Sequence, residues 1–194
     1  DRSVSRGLGD VYKRQGLETY IQKGIVHDED SAQEFIHKRL KYNFSYNEFM
    51  AVRLAFEYAL REDLEAISRL EEIMEAGKIP RETREASRKL GSRFIKTLSA
   101  LELPVQNSIF DKYREARKGK SVHHAVAYGV FCGAAGIAEN EALEHFIYAQ
   151  TSAMVTNCVK TIPLSQSSGQ KLLSGCYPLL PVSYTHLRAH ETLS

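Results

Sequence analysis

The feature that most limits how this chain can fold is the run from His124 to Gly136. Through Ala125, Val126, Ala127, Tyr128, Gly129, Val130, Phe131 and Cys132 it is almost wholly apolar. A helix that is apolar on every side has to be covered on every side. Its 13 residues fall short of the roughly 20 needed to cross a bilayer. The run therefore reads as the buried central helix of a bundle. Gly129, Gly133 and Ala134 are small enough to let neighbouring backbones come close.

The flanking sequence supplies the helices that would cover it. Gly16 to Lys23 reads as the end of a helix, with Gly24 as its stop. Ser31-Ala32-Gln33-Glu34 has the spacing of a capping box with Ser31 as the cap, and Ala32, Phe35, Ile36, Leu40 and Phe44 then recur at helical intervals. Phe49, Val52, Phe56 and Leu60 form the next apolar stripe. Asp63 suits the cap of a helix that turns Leu64, Ile67, Leu70 and Met74 inward and is broken by Gly77 and Pro80. A long helix is expected over Glu82 to Leu101, with Ala86, Leu90, Phe94, Leu98 and Leu101 on its inner face, and a shorter one over Asn107 to Arg117. After the apolar run, Asn140 is placed to cap a helix reaching Lys160, and Pro163 suits the first turn of a last one reaching Leu173. No stretch alternates as a strand does, and no fixed-period repeat occurs. The fold class expected is an all-α, single-domain helical bundle, truncated at both ends.

The ends stand apart. Residues 1–15 (DRSVSRGLGDVYKRQ) and 181–194 (PVSYTHLRAHETLS) lack an apolar period. Both resemble translated sequencing-adaptor read-through, so 1–15 and 176–194 are expected to be non-native and 16–175 to be the helical domain. The whole chain carries 26 basic and 24 acidic residues. Segment 1–15 accounts for four basic and two acidic, and segment 181–194 for one of each, which leaves a neutral body with 21 of each sign. Such a body gives little support to non-specific nucleic-acid binding. Three cysteines without a C-x-x-C pair favour a reduced compartment.

The chemical inventory is thin. There is no G-x-S-x-G, no glycine-rich phosphate loop and no H-E-x-x-H. His123 and His124 are adjacent, so a helix points them about 100° apart rather than at one ion. Cys132 and Cys158 are read as buried structural thiols, and Glu18 as a solvated or paired charge. Gln166 and Gln170 sit four apart and share a helix face that can exchange hydrogen bonds without carrying charge, as a protein contact requires. Three readings follow: a scaffold for other proteins, a generic helical adaptor, or a helical enzyme with Glu18 and His124 as an acid/base pair.

Several short motifs in order carry a resemblance. They are Gly16-Leu17-Glu18-Thr19-Tyr20-Ile21; Arg84 with Leu90-Gly91-Ser92-Arg93-Phe94-Ile95-Lys96-Thr97-Leu98; His124 with Tyr128-Gly129-Val130-Phe131; and Tyr148-Ala149-Gln150-Thr151-Ser152 through Asn157-Cys158-Val159-Lys160, Pro163-Leu164-Ser165-Gln166 and Gly169-Gln170. From about Gly16 to Leu173 the chain resembles the UreF family of urease accessory proteins. The resemblance implies an all-helical cytoplasmic protein with no catalysis and no cofactor of its own. It implies a homodimer that binds a UreD/UreH-type accessory protein and the UreG GTPase. That assembly would act on apo-urease while nickel is inserted. It further implies Glu18 and Lys160 as partner-binding residues facing the GTPase, Gln166 and Gln170 as neutral contacts, and Arg84 and Arg93 as contacts or helix ties. Gly91 and Gly129 are expected to serve close packing.

Overall fold

The structure, a computed structural model, describes residues 17–40, 45–77, 81–101 and 103–178. Side chains of 41–46 and 81–84 lie outside that description, as do the two end segments singled out above. All regular structure in the described residues is helical: α1 (17–22), α2 (Glu29–Lys38), α3 (Ser45–Leu60), α4 (Leu64–Gly77), α5 (Arg81–Leu101), α6 (Ile109–Ala116), α7 (His124–Ala135), α8 (Glu139–Thr161) and α9 (Gln166–Cys176). The all-α expectation holds. The chain divides into two compact units, one of residues 1–46 with 144–194 and one of residues Asn47–Leu143.

In the second unit α7 is the centre. It has α5, α6 and α4 packed around it, and eight of its twelve residues are buried. The approach of α3 explains its glycines. A Cβ on Gly129 would overlap the Val52 carbonyl oxygen and stand 2.8 Å from the Ala55 Cβ; one on Gly133 would stand 2.9 Å from Ala59 Cβ and from the Phe56 oxygen. These obstacles are mostly backbone, so the two helices touch only because the side chains are absent. Gly136 ends α7 in the left-handed conformation at φ +72. Gly91 of α5 is pressed in the same way on the Val122 backbone.

An aromatic cluster locks this unit. Phe94 of α5 stands edge-on to His124 (5.2 Å) and to Phe131 (6.2 Å), and lies 6.0 Å from Tyr128. Phe110 of α6 meets Phe131 at 5.3 Å. Contacts of this geometry contribute about 0.5–1.5 kcal/mol each beyond area burial. The Tyr128 hydroxyl donates to the Ala142 carbonyl at 3.0 Å.

In the first unit α2 packs on α9, with Lys171 Nζ 3.8 Å from Glu29. Gly169 lets α9 lie against the end of α8, where its Cβ would come within 2.8 Å of Val159 Cγ2. The cap of α2 corrects the sequence reading. Asp28, not Ser31, is the N-cap: its carboxylate accepts from the Ser31 N–H at 2.9 Å, and the Ser31 hydroxyl accepts back from the Asp28 N–H at 3.1 Å. A carboxylate competes well for that position, and serine serves as the return arm. Asp63 does receive the Ala66 N–H, at 2.9 Å. Asn140 is not a cap, because α8 begins one residue earlier at Glu139. Pro163 sits in the link before α9, whose cap is Ser165, accepting from Ser168 N–H at 3.0 Å. The last helix runs through a buried Cys176, three residues beyond the expected Leu173. Leu60 and Leu101, expected inward, are exposed.

Candidate partner-binding surface

The residues expected to bind partners divide between the two units. Glu18, Lys160, Gln166 and Gln170 belong to the first, and all four are exposed. Gln166 and Gln170 lie on the outer side of α9, opposite the buried Gly169, Leu172 and Cys176. Lys160 follows Val159, the residue that seats Gly169, so the α8 end and the first turns of α9 form one neighbourhood. Arg84 and Arg93 lie on α5 in the second unit; Arg93 is exposed, and the Arg84 side chain lies outside the described residues. Gly91 and Gly129 take the packing role assigned to them.

Beside α1 and α2 is an open pocket of about 230 Å³. Tyr20, Val26, Ile25 and Phe35 line it, with Lys38 and Arg39 at its edge. Tyr20 and Phe35 are 5.5 Å apart, and the Arg39 guanidinium lies 5.9 Å over the Phe35 ring. The groups at its rim are partly satisfied within the chain, since Lys38 Nζ pairs with Glu34 at 2.6 Å.

Sequence reasoning missed a buried polar cluster in the second unit. Glu71 of α4 is 0% exposed. Its carboxyl accepts from the Tyr113 hydroxyl and from the backbone N–H of His123, at 3.0 Å to Oε2. Arg117 Nη2 is 3.9 Å away. His123 is the N-cap of α7 yet makes no side-chain cap bond, so the start of the central helix is capped by a carboxyl from another helix. The helix dipole favours that placement. His123 Nε2 donates to Glu75 Oε2 at 3.0 Å, the assignment an ionised Glu75 requires, and its Nδ1 lies 3.3 Å from Ser87 Oγ. Arg88 closes the chain on Glu75. This Ser–His–Glu chain has the connectivity of a nucleophile relay, but Ser87 is 4% and His123 0% exposed. No substrate reaches it, and it ties α4, α5 and α7 together. The signal was absent from the sequence because the partners of Glu71 are 42 and 52 residues away.

Burial pushes the Glu71 carboxyl up to about 7, against the Tyr113 hydroxyl, Arg117 and the His123 N–H, which favour its ionised form. Burial also raises Glu75, but its bonds to Arg88 and His123 outweigh that and hold it below the usual carboxylate range. The two groups act in different pH windows. The unfolded chain ionises Glu71 near 4.5 while the folded one keeps the proton to about 7. That stability is fully present below 4.5 and is lost as pH rises to about 7. Glu75 acts below 4.5, where stability is lost as pH falls through its depressed value. Between pH 5 and 7.5, urea unfolding of the wild type is expected to lose on the order of 2–3 kcal/mol from Glu71. Glu71→Gln should abolish that slope; an unchanged slope would show that Glu71 does not set it.

Among the described residues the remaining polar groups do not assemble a reactive centre. No group of three or more His, Cys, Asp or Glu side chains among the described residues could hold a metal. Cys132, Cys158 and Cys176 are buried thiols. Burial pushes Cys132 and Cys176 up to about 11 and Cys158 up to about 12, the last also by the neighbouring Cys176. Thiols held protonated this way are inert as ligands and nucleophiles. Cys158 thus has Cys176 as its neighbour. Glu18 and His124, the acid/base alternative, fall in different units, and His124 is a member of the aromatic cluster. Gln150, Thr151 and Asn157 of α8 are buried rather than displayed, and the Asn157 amide has no hydrogen-bond partner among the described residues. No helix of the described residues is long and apolar enough to cross a membrane.

Comparison with known proteins gives the family. A family model described as UreF matches residues 26–177. The urease accessory protein UreF of Sporosarcina pasteurii is 33% identical over 169 residues, covering 86% of this chain and 80% of that protein. The urease accessory protein UreF of Actinobacillus pleuropneumoniae serotype 5b is 32% identical over 168 residues, covering 86% of this chain and 73% of that protein. The chain belongs to the UreF family of urease accessory proteins.

Proposed function

We propose that this chain acts, without catalysis of its own, as a scaffold in nickel insertion into apo-urease. It works as a homodimer in the cytoplasm, bridging a UreD/UreH-type accessory protein and the UreG GTPase. Family membership over residues 26–177 carries this reading. It is supported by the exposure of Glu18, Lys160, Gln166 and Gln170 in one compact unit. In the scaffold, Glu18 and Lys160 make charge-assisted contacts to the GTPase, and the two glutamines make neutral ones. Nickel is cargo of the assembly, and the chain needs no resident cofactor.

The test is a pair of single substitutions, Glu18→Ala and Lys160→Ala. Both residues are exposed, so each should change folding stability by no more than ~0.5 kcal/mol. Each is expected to weaken GTPase capture by the preformed complex roughly tenfold, the loss of one charge-assisted contact. Urease activation should fall with it. Normal capture in both variants would remove these residues from the interface.

A further inference from the structure

We infer that Glu71 is a proton-controlled latch on the link between α6 and α7, residues 117–123: while it holds its proton the link stays shut, and loss of the proton loosens the link. The link is fastened to this one side chain near both ends. Tyr113, one turn before it, donates its hydroxyl to Glu71. Arg117, at its start, places Nη2 3.9 Å from Glu71 Oε2. The His123 N–H, at its end, donates to both carboxyl oxygens, at 3.2 and 3.0 Å. Between these points Lys118, Gly119 and Lys120 are exposed. An exposed turn is thus tied at both ends to a fully buried acid, and lifting the turn brings water to that acid.

A charge on Glu71 is poorly compensated where it stands. Arg117 is the cation that faces it, yet Arg117 Nε donates to the Ser121 carbonyl at 2.9 Å and Nη2 donates to the same oxygen. Its guanidinium is shared with the link rather than given to the acid. Glu75, one turn further along α4, is bound by Arg88 of α5 and by the His123 ring, which also meets Ser87. Those bonds favour an ionised Glu75, so a second negative charge lies beside the first and opposes it. The Tyr113 hydroxyl and the His123 N–H do favour an ionised Glu71, but they do not replace the hydration that burial removes.

The direction of the switch follows from linkage. Shut in, the carboxyl keeps its proton up to about 7; reached by water, it returns toward its ordinary 4.5. An opening that lowers the proton affinity of a group becomes more frequent as pH rises between the two values, and levels off above the higher one. The opening is local. It lifts a turn and leaves the packing of α7 on α3 in place, so it belongs to the low-stability end of the range of native-state openings.

Native-state hydrogen exchange of the full chain tests this, with each rate divided by the intrinsic rate at the same pH. The reporters are the Lys120 N–H, bonded to the Arg117 carbonyl, and the His123 N–H, bonded to Glu71. Their protection should fall at least ~tenfold from pH 5 to 7.5 and then level off. About 0.5 M urea should leave these two rates almost unchanged, because a local opening exposes little surface. Glu71→Gln, which carries no charge at any pH, should make the protection independent of pH. Tyr113→Phe removes a donor that favours the ionised acid, so it should move the levelling-off to higher pH; this variant decides the matter should Glu71→Gln fail to fold. Wild-type protection that is flat with pH overturns the latch, as does a fall that persists in folded Glu71→Gln. A levelling-off that Tyr113→Phe leaves in place overturns it too. Exchange at the two amides that rises with urea as steeply as that of the buried α3 amides makes the opening global, and likewise overturns it.

Discussion

Glu71→Ala is expected to lower the unfolding free energy by about 3–5 kcal/mol at pH 6. The substitution leaves the Tyr113 hydroxyl and the His123 N–H without their acceptor in a region closed to water. Each stranded donor costs about 1–3 kcal/mol, and the start of α7 loses its cap. Urea unfolding followed by circular dichroism reads the total. Hydrogen exchange locates it, and the amides at the start of α7 should open first. Tyr113→Phe in the Glu71→Ala background should cost less than Tyr113→Phe alone, because the two groups share one bond. Additive costs would show that the hydroxyl does not depend on Glu71.

Gly129→Leu is the second large effect, with an expected loss of about 3 kcal/mol or more. Alanine at this position gains up to ~1 kcal/mol of helix propensity, yet its Cβ would already overlap the Val52 carbonyl oxygen. The obstacle is backbone, so no side-chain rotation relieves it and α3 has to move. Gly77 provides the contrast: nothing lies within 4 Å of a Cβ there, so Gly77→Ala should be neutral or slightly stabilising. Thermal unfolding of the two alanine variants side by side tests the close approach. Equal midpoints would mean that α3 and α7 are not in contact at Gly129.

These two sites show what the amino-acid sequence does and does not reveal. Gly129 was legible because an apolar run with small residues has one physical solution, a helix packed closely on all sides. The limits of α5 and α7 were legible for related reasons: Pro80 comes just before α5 and Gly136, in the left-handed conformation, ends α7, while Gly91, Gly129 and Gly133 lie inside helices and end nothing. Glu71 was not legible. Along α4 it resembles any other solvated glutamate, and only the return of the chain brings Tyr113 and His123 to it. The exposure of Leu60 and Leu101 escaped for the opposite reason, since helical spacing reports which side a residue faces but not whether a neighbour reaches that far along. The division of the chain into two compact units, with Glu18 in one and His124 and Arg93 in the other, has no sequence signal at all. The exposure of Glu18, Lys160, Gln166, Gln170 and Arg93 follows from the structure, whereas the partner-binding role expected of them rests on motifs in order.

The proposed role of this chain is to serve urease by binding other proteins. Its most direct measurement is urease activity in cells that carry a complete urease gene cluster, lack only the cluster's own UreF-type gene, and express this chain with nickel supplied. Activity restored by the wild type and lost with Glu18→Ala/Lys160→Ala, both proteins being present in equal amounts, is the predicted result. Urease that stays inactive with the folded wild-type chain present, or that is activated equally by the double variant, would contradict the account.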